Sequence, residues 1–139
     1  MSLDLSSLHR AIISLQNAIE VSTDKNLYDK LNSKQKNTMR AGLIQNFEFT
    51  YELSWKMIKR WLENNVSSDY GQVSNKELFR RAGQYNLINN VEKWFVYHEA
   101  RNKTSHIYDE EVADAICKIA IEFGNDAQRL TQNLEKQND

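Results

Sequence analysis

Apolar positions recur at three- and four-residue spacing along most of the chain, and no segment alternates with the two-residue period of a strand. Leu8, Ala11, Ile12, Leu15, Ala18 and Ile19 form the first stripe. It predicts a helix that opens at Asp4, Ser6 or Ser7, all residue types that cap helix N-termini, and fades near Thr23. Residues 24–33 are polar and irregular, with Leu27, Tyr28 and Leu31 hinting at a short extra turn. The longest predicted helix covers about residues 34–64. Met39, Leu43, Phe47, Tyr51, Ser54, Ile58 and Trp61 mark its apolar face, widened by Leu53, Met57 and Leu62. Residues 64–72, rich in Asn, Ser and Gly, read as a loop.

A third, short helix begins at Ser74, which forms a capping-box pattern with Glu77. It runs through Leu78, Phe79 and Ala82, with Gly83 expected as its C′ residue. Leu87 and Ile88 lead into a fourth helix whose stripe is Val91, Trp94, Phe95 and His98. Asp109 is the expected N-cap of a fifth, with Glu110 and Glu111 complementing the dipole in its first turn. Val112, Ile116, Ile119, Phe123, Ala127, Leu130 and Leu134 give that helix its stripe. The pattern predicts an all-α fold, an antiparallel four/five-helix bundle built as one domain over residues 1–139. Residues 135–139 are expected to fray, and Met1, Ser2 and Leu3 carry little weight for the fold.

Composition agrees with this and narrows the function. The chain of 139 residues has no proline, four glycines and 40% hydrophobic residues, which favours long helices. A net charge of −1 excludes a general polyanion binder but leaves room for a local basic patch. Lys34, Lys36, Arg40, Lys56, Lys59 and Arg60 make the long helix moderately basic, which suits an RNA path or a solvated face equally. The lone Cys117 offers no intramolecular disulfide. With no apolar run long enough for a membrane span and no secretory signature, the expected compartment is the cytoplasm. No metal is expected: His9, His98, His106 and Cys117 lack ligand spacing. There is no phosphate-cradling glycine loop, and no cofactor is implied.

Chemistry concentrates in Arg101-Asn102-Lys103-Thr104-Ser105-His106-Ile107-Tyr108. Arg supplies a permanent cation that suits phosphate, and His can take or give a proton near neutrality. The hydroxyl of Tyr can donate, accept or be modified. Continued as an ideal helix, the segment places Asn102 and His106 on one face and Arg101, Ser105 and Tyr108 on the next, with Arg101 and His106 about 140° apart. Arg101 can equally be a structural partner of Glu48, Glu52 or Glu99. His106 can serve the helix dipole, and Tyr108 can pack on the last helix. Phe47, Tyr51 and Trp55, at i, i+4 and i+8, read as core before they read as a base-stacking platform. Glu48 and Glu52, one turn apart, are expected to meet Arg101, Lys56 or a partner chain.

The string Ala100–Glu110, ARNKTSHIYDE, resembles the signature of the HEPN superfamily. More narrowly it resembles the nucleotidyltransferase substrate-binding family. The segment GLIQNFEFTYELSWK from Gly42 to Lys56, with its Phe-Glu, Tyr-Glu and Trp-Lys pairs, is similar to that family's long-helix motif, and Trp94 fits seven residues before Arg101. The resemblance covers nearly the whole chain. One departure is Asn75, where the family often opens the third helix with proline.

The resemblance implies a helical homodimer that works with a separately encoded minimal nucleotidyltransferase. Related members are toxins that cleave RNA without metal and are neutralised by that partner. By motif position it implies Arg101 and His106 as catalytic residues and Tyr108 as the acceptor of an AMP modification. Asn102, Ser105, Glu48 and Glu52 are expected to support them. RNA or a nucleotide would be the bound species, and this chain would not itself be the nucleotidyltransferase. Two other outcomes stay open: a non-catalytic subunit that binds the transferase's substrate, and a structural dimer in which the cluster clamps helices. Phe49, Trp55 and Trp94 are candidates for the dimer face.

Overall fold

The computed structural model describes residues 3–137; Met1, Ser2, Asn138 and Asp139 lie outside the described residues. The described residues form six α-helices and one 3-10 turn: α1 (Ser6–Ser22), α2 (Lys25–Tyr28), α3 (Ser33–Asn65), α4 (Asn75–Gln84), α5 (Val91–Asn102), the turn Thr104–His106, and α6 (Glu110–Lys136). The extra turn hinted at by Leu27 and Tyr28 is α2. Among the described residues no helix is long and apolar enough to cross a membrane.

At about 1.5 Å rise per residue, α3 is a spine of roughly 50 Å. It opens on a reciprocal capping box: Asn32 Oδ1 accepts from the Gln35 N–H and Gln35 Oε1 from the Asn32 N–H, both at 2.9 Å. The pattern expected to form such a box, Ser74 with Glu77, makes only half of one. Ser74 Oγ accepts from the Glu77 N–H at 3.2 Å, while the Glu77 carboxylate turns to Arg80 and Arg81.

Most neighbours are antiparallel. On α1, the Ala11 carbonyl accepts from Thr50 of α3 and Ser14 bonds Asn46; α4 and α5 form a hairpin, and α6 runs back along α5. The exceptions are α3 with α4, where Asn75 meets Tyr51 and Tyr85 meets Trp61 further along both, and α3 with α6, which also run the same way. On α3 and α6, Arg40 meets Asp114 near one end, and Phe47 meets Phe123 roughly two turns further along both. The core between these helices is an aromatic cluster. Phe123 lies at its centre, 4.9 Å from Tyr97, 5.2 Å from Phe47 and 5.5 Å from Trp94, each in an edge-on contact.

Three expectations change here. Gly83 is not the C′ residue of α4: it lies inside the helix, and Asn86, at φ 61°, takes the left-handed position. The Asn86 N–H bonds the Gly83 carbonyl and the Leu87 N–H bonds the Ala82 carbonyl, which is the Schellman pattern. Gly83 is needed for packing instead, since a Cβ there would stand 2.5 Å from Val91 Cγ2. Trp94 is 2% exposed, so it belongs to the core and not to a dimer face. The end of α6 stays helical through Lys136, held by a His9–Glu135 pair at 2.7 Å and by Gln137 bonding the Tyr85 carbonyl.

The Gly83 contact makes a prediction. Alanine gains about 1 kcal/mol of helix propensity over glycine, but overpacking costs about 1–3 kcal/mol and the β-branched Val91 has little rotamer freedom. Gly83→Ala is therefore expected to destabilise the fold by a net of roughly 1 kcal/mol, read as a lowered urea unfolding midpoint. A raised midpoint would mean that α5 yields freely at Val91.

Candidate active site

The segment expected to be a helix end leaves the helix early. α5 stops at Asn102. From there the N–H groups of Lys103, His106 and Asp109 bond carbonyls three residues back, at Ala100, Lys103 and His106. The cause is Thr104, 8% exposed. Its hydroxyl lies 2.9 Å from the Arg101 carbonyl and 3.0 Å from Glu48 Oε2, competing with the helical ladder. Ser105, His106 and Tyr108 therefore do not share helical faces with Arg101 and Asn102, and the 140° relation of Arg101 to His106 does not apply. Asp109 then caps α6 as expected, accepting from the Glu111 N–H at 2.9 Å.

Arg101 bridges α5 to α3. Its Nη1 lies 3.2 Å from Glu48 Oε2 and its Nε 3.2 Å from Glu52 Oε1. Nη1 also donates to Thr104 Oγ1 at 3.0 Å. Glu52 is steadied from the far side by Trp55 Nε1 at 3.0 Å. Of the carboxylates considered for Arg101, Glu99 is the one that goes elsewhere. It pairs with Lys76 at 3.0 Å, and that ammonium holds its carboxyl below the usual range. About a third of the Arg101 side chain is exposed, and Nη2 has no protein partner among the described residues. One guanidinium between two carboxylates gives the trio a formal charge of −1. Arg101 is thus a rigidly oriented donor rather than a strong positive field.

His106 and Tyr108 face outward from the turn, flanking the half-buried Ile107. The Tyr108 hydroxyl stands 3.4 Å from His106 Nδ1, with the two rings edge-on at 6.0 Å. Tyr108 is 84% exposed, so it does not pack on α6. Ser105 is exposed and takes part in none of these bonds.

Sequence patterns did not reveal a second chain of groups behind the site. Tyr51 Oη, buried in the core, is 2.8 Å from His98 Nδ1 and accepts from Asn75 Nδ2 at 3.3 Å. His98 Nε2 in turn lies 3.4 Å from the Asn102 side-chain amide. Burial pushes the Tyr51 phenol well above its ordinary pKa, so it stays protonated. Of the basic residues on α3, Arg40 is already committed, to Glu110 at 3.0 Å and Asp114 at 2.9 Å. Burial raises the Cys117 thiol to about 11, which leaves it inert. Among the described residues no three His, Cys, Asp or Glu side chains gather closely enough to hold a metal ion.

Known proteins share this architecture. A Haemophilus influenzae protein described as a probable ribonuclease HepT is 37% identical over 138 residues, covering 98% of this chain and 94% of its own. A solved Haemophilus influenzae structure, described as the fold of a substrate binding domain of a nucleotidyltransferase, superposes with a TM-score of 0.90. It is 36% identical and covers 95% of this chain and 99% of its own. A Thermus thermophilus structure shares the fold alone, with a TM-score of 0.73 at 21% identity over 91% of this chain and 98% of its own. The model of the family described as nucleotidyltransferase substrate binding protein like matches residues 3–136. With α1 to α6 all inside that match, the chain belongs to the nucleotidyltransferase substrate binding protein like family.

Proposed function

We propose that this chain is a metal-independent endoribonuclease of the cytoplasm, a toxin restrained by a separately encoded minimal nucleotidyltransferase that modifies Tyr108. The observation that carries this is the turn Thr104–His106. It leaves an imidazole and a phenol exposed side by side, next to an arginine whose Nη2 is unengaged. The relative described as a probable ribonuclease supports the same reading.

In RNA cleavage the 2′-oxygen attacks the adjacent phosphorus and loses its proton to a base. The bond from phosphorus to the 5′-oxygen breaks as an acid protonates that oxygen. The products are a 2′,3′-cyclic phosphate and a 5′-hydroxyl. His106 serves as the base or the acid, and Arg101 Nη2 donates to the non-bridging oxygens as their charge grows. Glu48 and Glu52 fix the guanidinium so that it need not reorganise. One imidazole cannot readily do both proton transfers, so the second comes from His106 of a second copy. An open groove of about 420 Å³ between α5 and α6, lined by Phe95, Val96, Val112, Ile116 and Ile119 and flanked by Glu99, Lys103 and Glu111, supports that arrangement. It is apolar and adjoins the motif. Val96 is 47% exposed in the isolated chain. Val96→Glu is expected to convert a dimer to monomer by light scattering and to abolish cleavage with the fold retained. A dimer that survives the substitution places the two-fold elsewhere.

The deciding experiment is cleavage of varied RNAs by purified protein in EDTA. Wild-type cleavage establishes the nuclease. A well-folded protein that cleaves none of them transfers the chemistry to the partner and makes this chain its substrate-binding subunit. Tyr108→Phe is expected to cleave at close to the wild-type rate but to escape inhibition by the transferase and ATP, because AMP on Tyr108 would set a bulky anion over His106. Continued inhibition of Tyr108→Phe would mean that another group is modified.

A further inference from the structure

We infer that His98 is a positioning residue: its Nε2–H, set by the buried Tyr51 hydroxyl on Nδ1, holds the Asn102 carboxamide so that both Nδ2 hydrogens face the RNA phosphate. This rests on the ribonuclease reading for its chemical consequence, though not for the hydrogen-bond chain itself.

The assignment follows from counting protons. Tyr51 is 1% exposed, and its hydroxyl has two neighbours, Asn75 Nδ2 at 3.3 Å and His98 Nδ1 at 2.8 Å. Asn75 Nδ2 can only donate. The phenol proton therefore needs an acceptor, and His98 Nδ1 is the one within reach. A buried hydroxyl left without an acceptor would pay its full desolvation cost. With Nδ1 accepting, neutral His98 carries its proton on Nε2. Nε2 lies 3.4 Å from the terminal amide group of Asn102. Two N–H donors cannot bond each other, and one of the two amides in the chain must present oxygen. Asn102 is exposed and Asn75 half-buried, so Asn102 is the amide that turns over at little cost. Its Oδ1 accepts from His98 Nε2–H and its NH₂ group is freed.

That matters because of where Asn102 stands. It follows Arg101, whose free Nη2 is assigned to the non-bridging oxygens, and it precedes the turn that carries His106. An amide held NH₂-outward adds two preorganised donors at the edge of that phosphate position. An unrestrained asparagine would have to give up rotamer freedom to present the same two donors. The His98–Tyr51 chain anchors this orientation in the core, away from the flexible surface.

The test has two arms. ¹⁵N-histidine labelling of the wild-type protein reads the tautomer directly. The expected result is a protonated Nε2 and an unprotonated Nδ1 on His98, lost in Tyr51→Phe. Cleavage kinetics then test the consequence in variants that fold by circular dichroism. His98→Leu and Asn102→Ala are each expected to lower kcat by about 3- to 10-fold, the worth of one ordinary hydrogen bond, with KM little changed. The double variant falls no further than Asn102→Ala alone. His98→Gln, whose amide donor can stand near Nε2, restores most of the loss. Losses that add in the double variant, or His98 protonated on Nδ1, overturn the assignment. A wild-type protein that cleaves no RNA overturns the ribonuclease reading instead, and the tautomer alone then decides whether Asn102 is held by His98.

Discussion

His106→Ala is expected to lower EDTA-resistant RNA cleavage by about 10²–10⁴-fold, the usual worth of a general acid or base, while leaving thermal stability unchanged. Both halves follow from the same geometry. His106 is exposed, and among the described residues its side-chain hydrogen-bond partner is the Tyr108 hydroxyl at 3.4 Å. Its removal opens no cavity and strands no buried group, so the stability change should stay within about 0.5 kcal/mol. Arg101→Ala is the contrasting control. It removes a donor from the phosphate and also leaves Glu48 and Glu52 one turn apart without their shared cation, so it should lose activity and stability together. Arg101→Lys keeps the charge but cannot reach two carboxylates and a phosphate with one planar fork, and should recover stability more than activity. Cleavage assays beside thermal melts separate these outcomes. A His106→Ala protein that cleaves RNA at the wild-type rate would remove His106 from the chemistry and leave Arg101 as a clamp between α3 and α5.

The helices and one key contact were legible in the pattern of residues; the turn that matters most was not. Stripes such as Leu43, Phe47 and Tyr51 repeat often enough to mark a helix and its buried face. The pairing of Arg101 with Glu48 or Glu52 could be anticipated because few carboxylates lie on a helix face next to the motif. The exit from α5 was hidden because Arg101, Asn102 and Ser105 continue a plausible helical spacing. What ends the helix is Thr104, whose hydroxyl bonds its own chain and a glutamate 56 positions away. No local spacing encodes that partner. Tyr97 was missed for the same reason. It is 1% exposed and its hydroxyl bonds Asp126 of α6, so its place in the core depends on an acceptor that arrives with the last helix. Burial, then that hydrogen bond, pushes its phenol pKa upward. His98 looked like one member of an apolar stripe, and its contact with Tyr51 appears only once α3 and α5 are side by side.

Phe123→Ala is expected to destabilise the fold by about 3–5 kcal/mol, a fall of roughly 10–20 °C in the unfolding midpoint for a chain of this size. Phe123 is 0% exposed, and edge-on contacts join it to Phe47 of α3 and to Trp94 and Tyr97 of α5. Truncation leaves a void between three long helices that are each held by other contacts, so the walls cannot simply close. The substitution should also weaken the site from a distance. Glu48 follows Phe47 on α3, and Arg101 lies one turn beyond Tyr97 on α5. Phe123 thus wedges apart the two helices that the Arg101 ion pairs draw together. At a temperature where Phe123→Ala remains folded, cleavage is expected to fall further than in Phe123→Leu, which fills most of the volume and restores most of the stability. If Phe123→Ala melts within a few degrees of wild type, α6 has moved inward to fill the void. The spacing of α3 and α5 would then be set by the polar contacts of Arg101 and Thr104 instead of by the aromatic cluster beneath them.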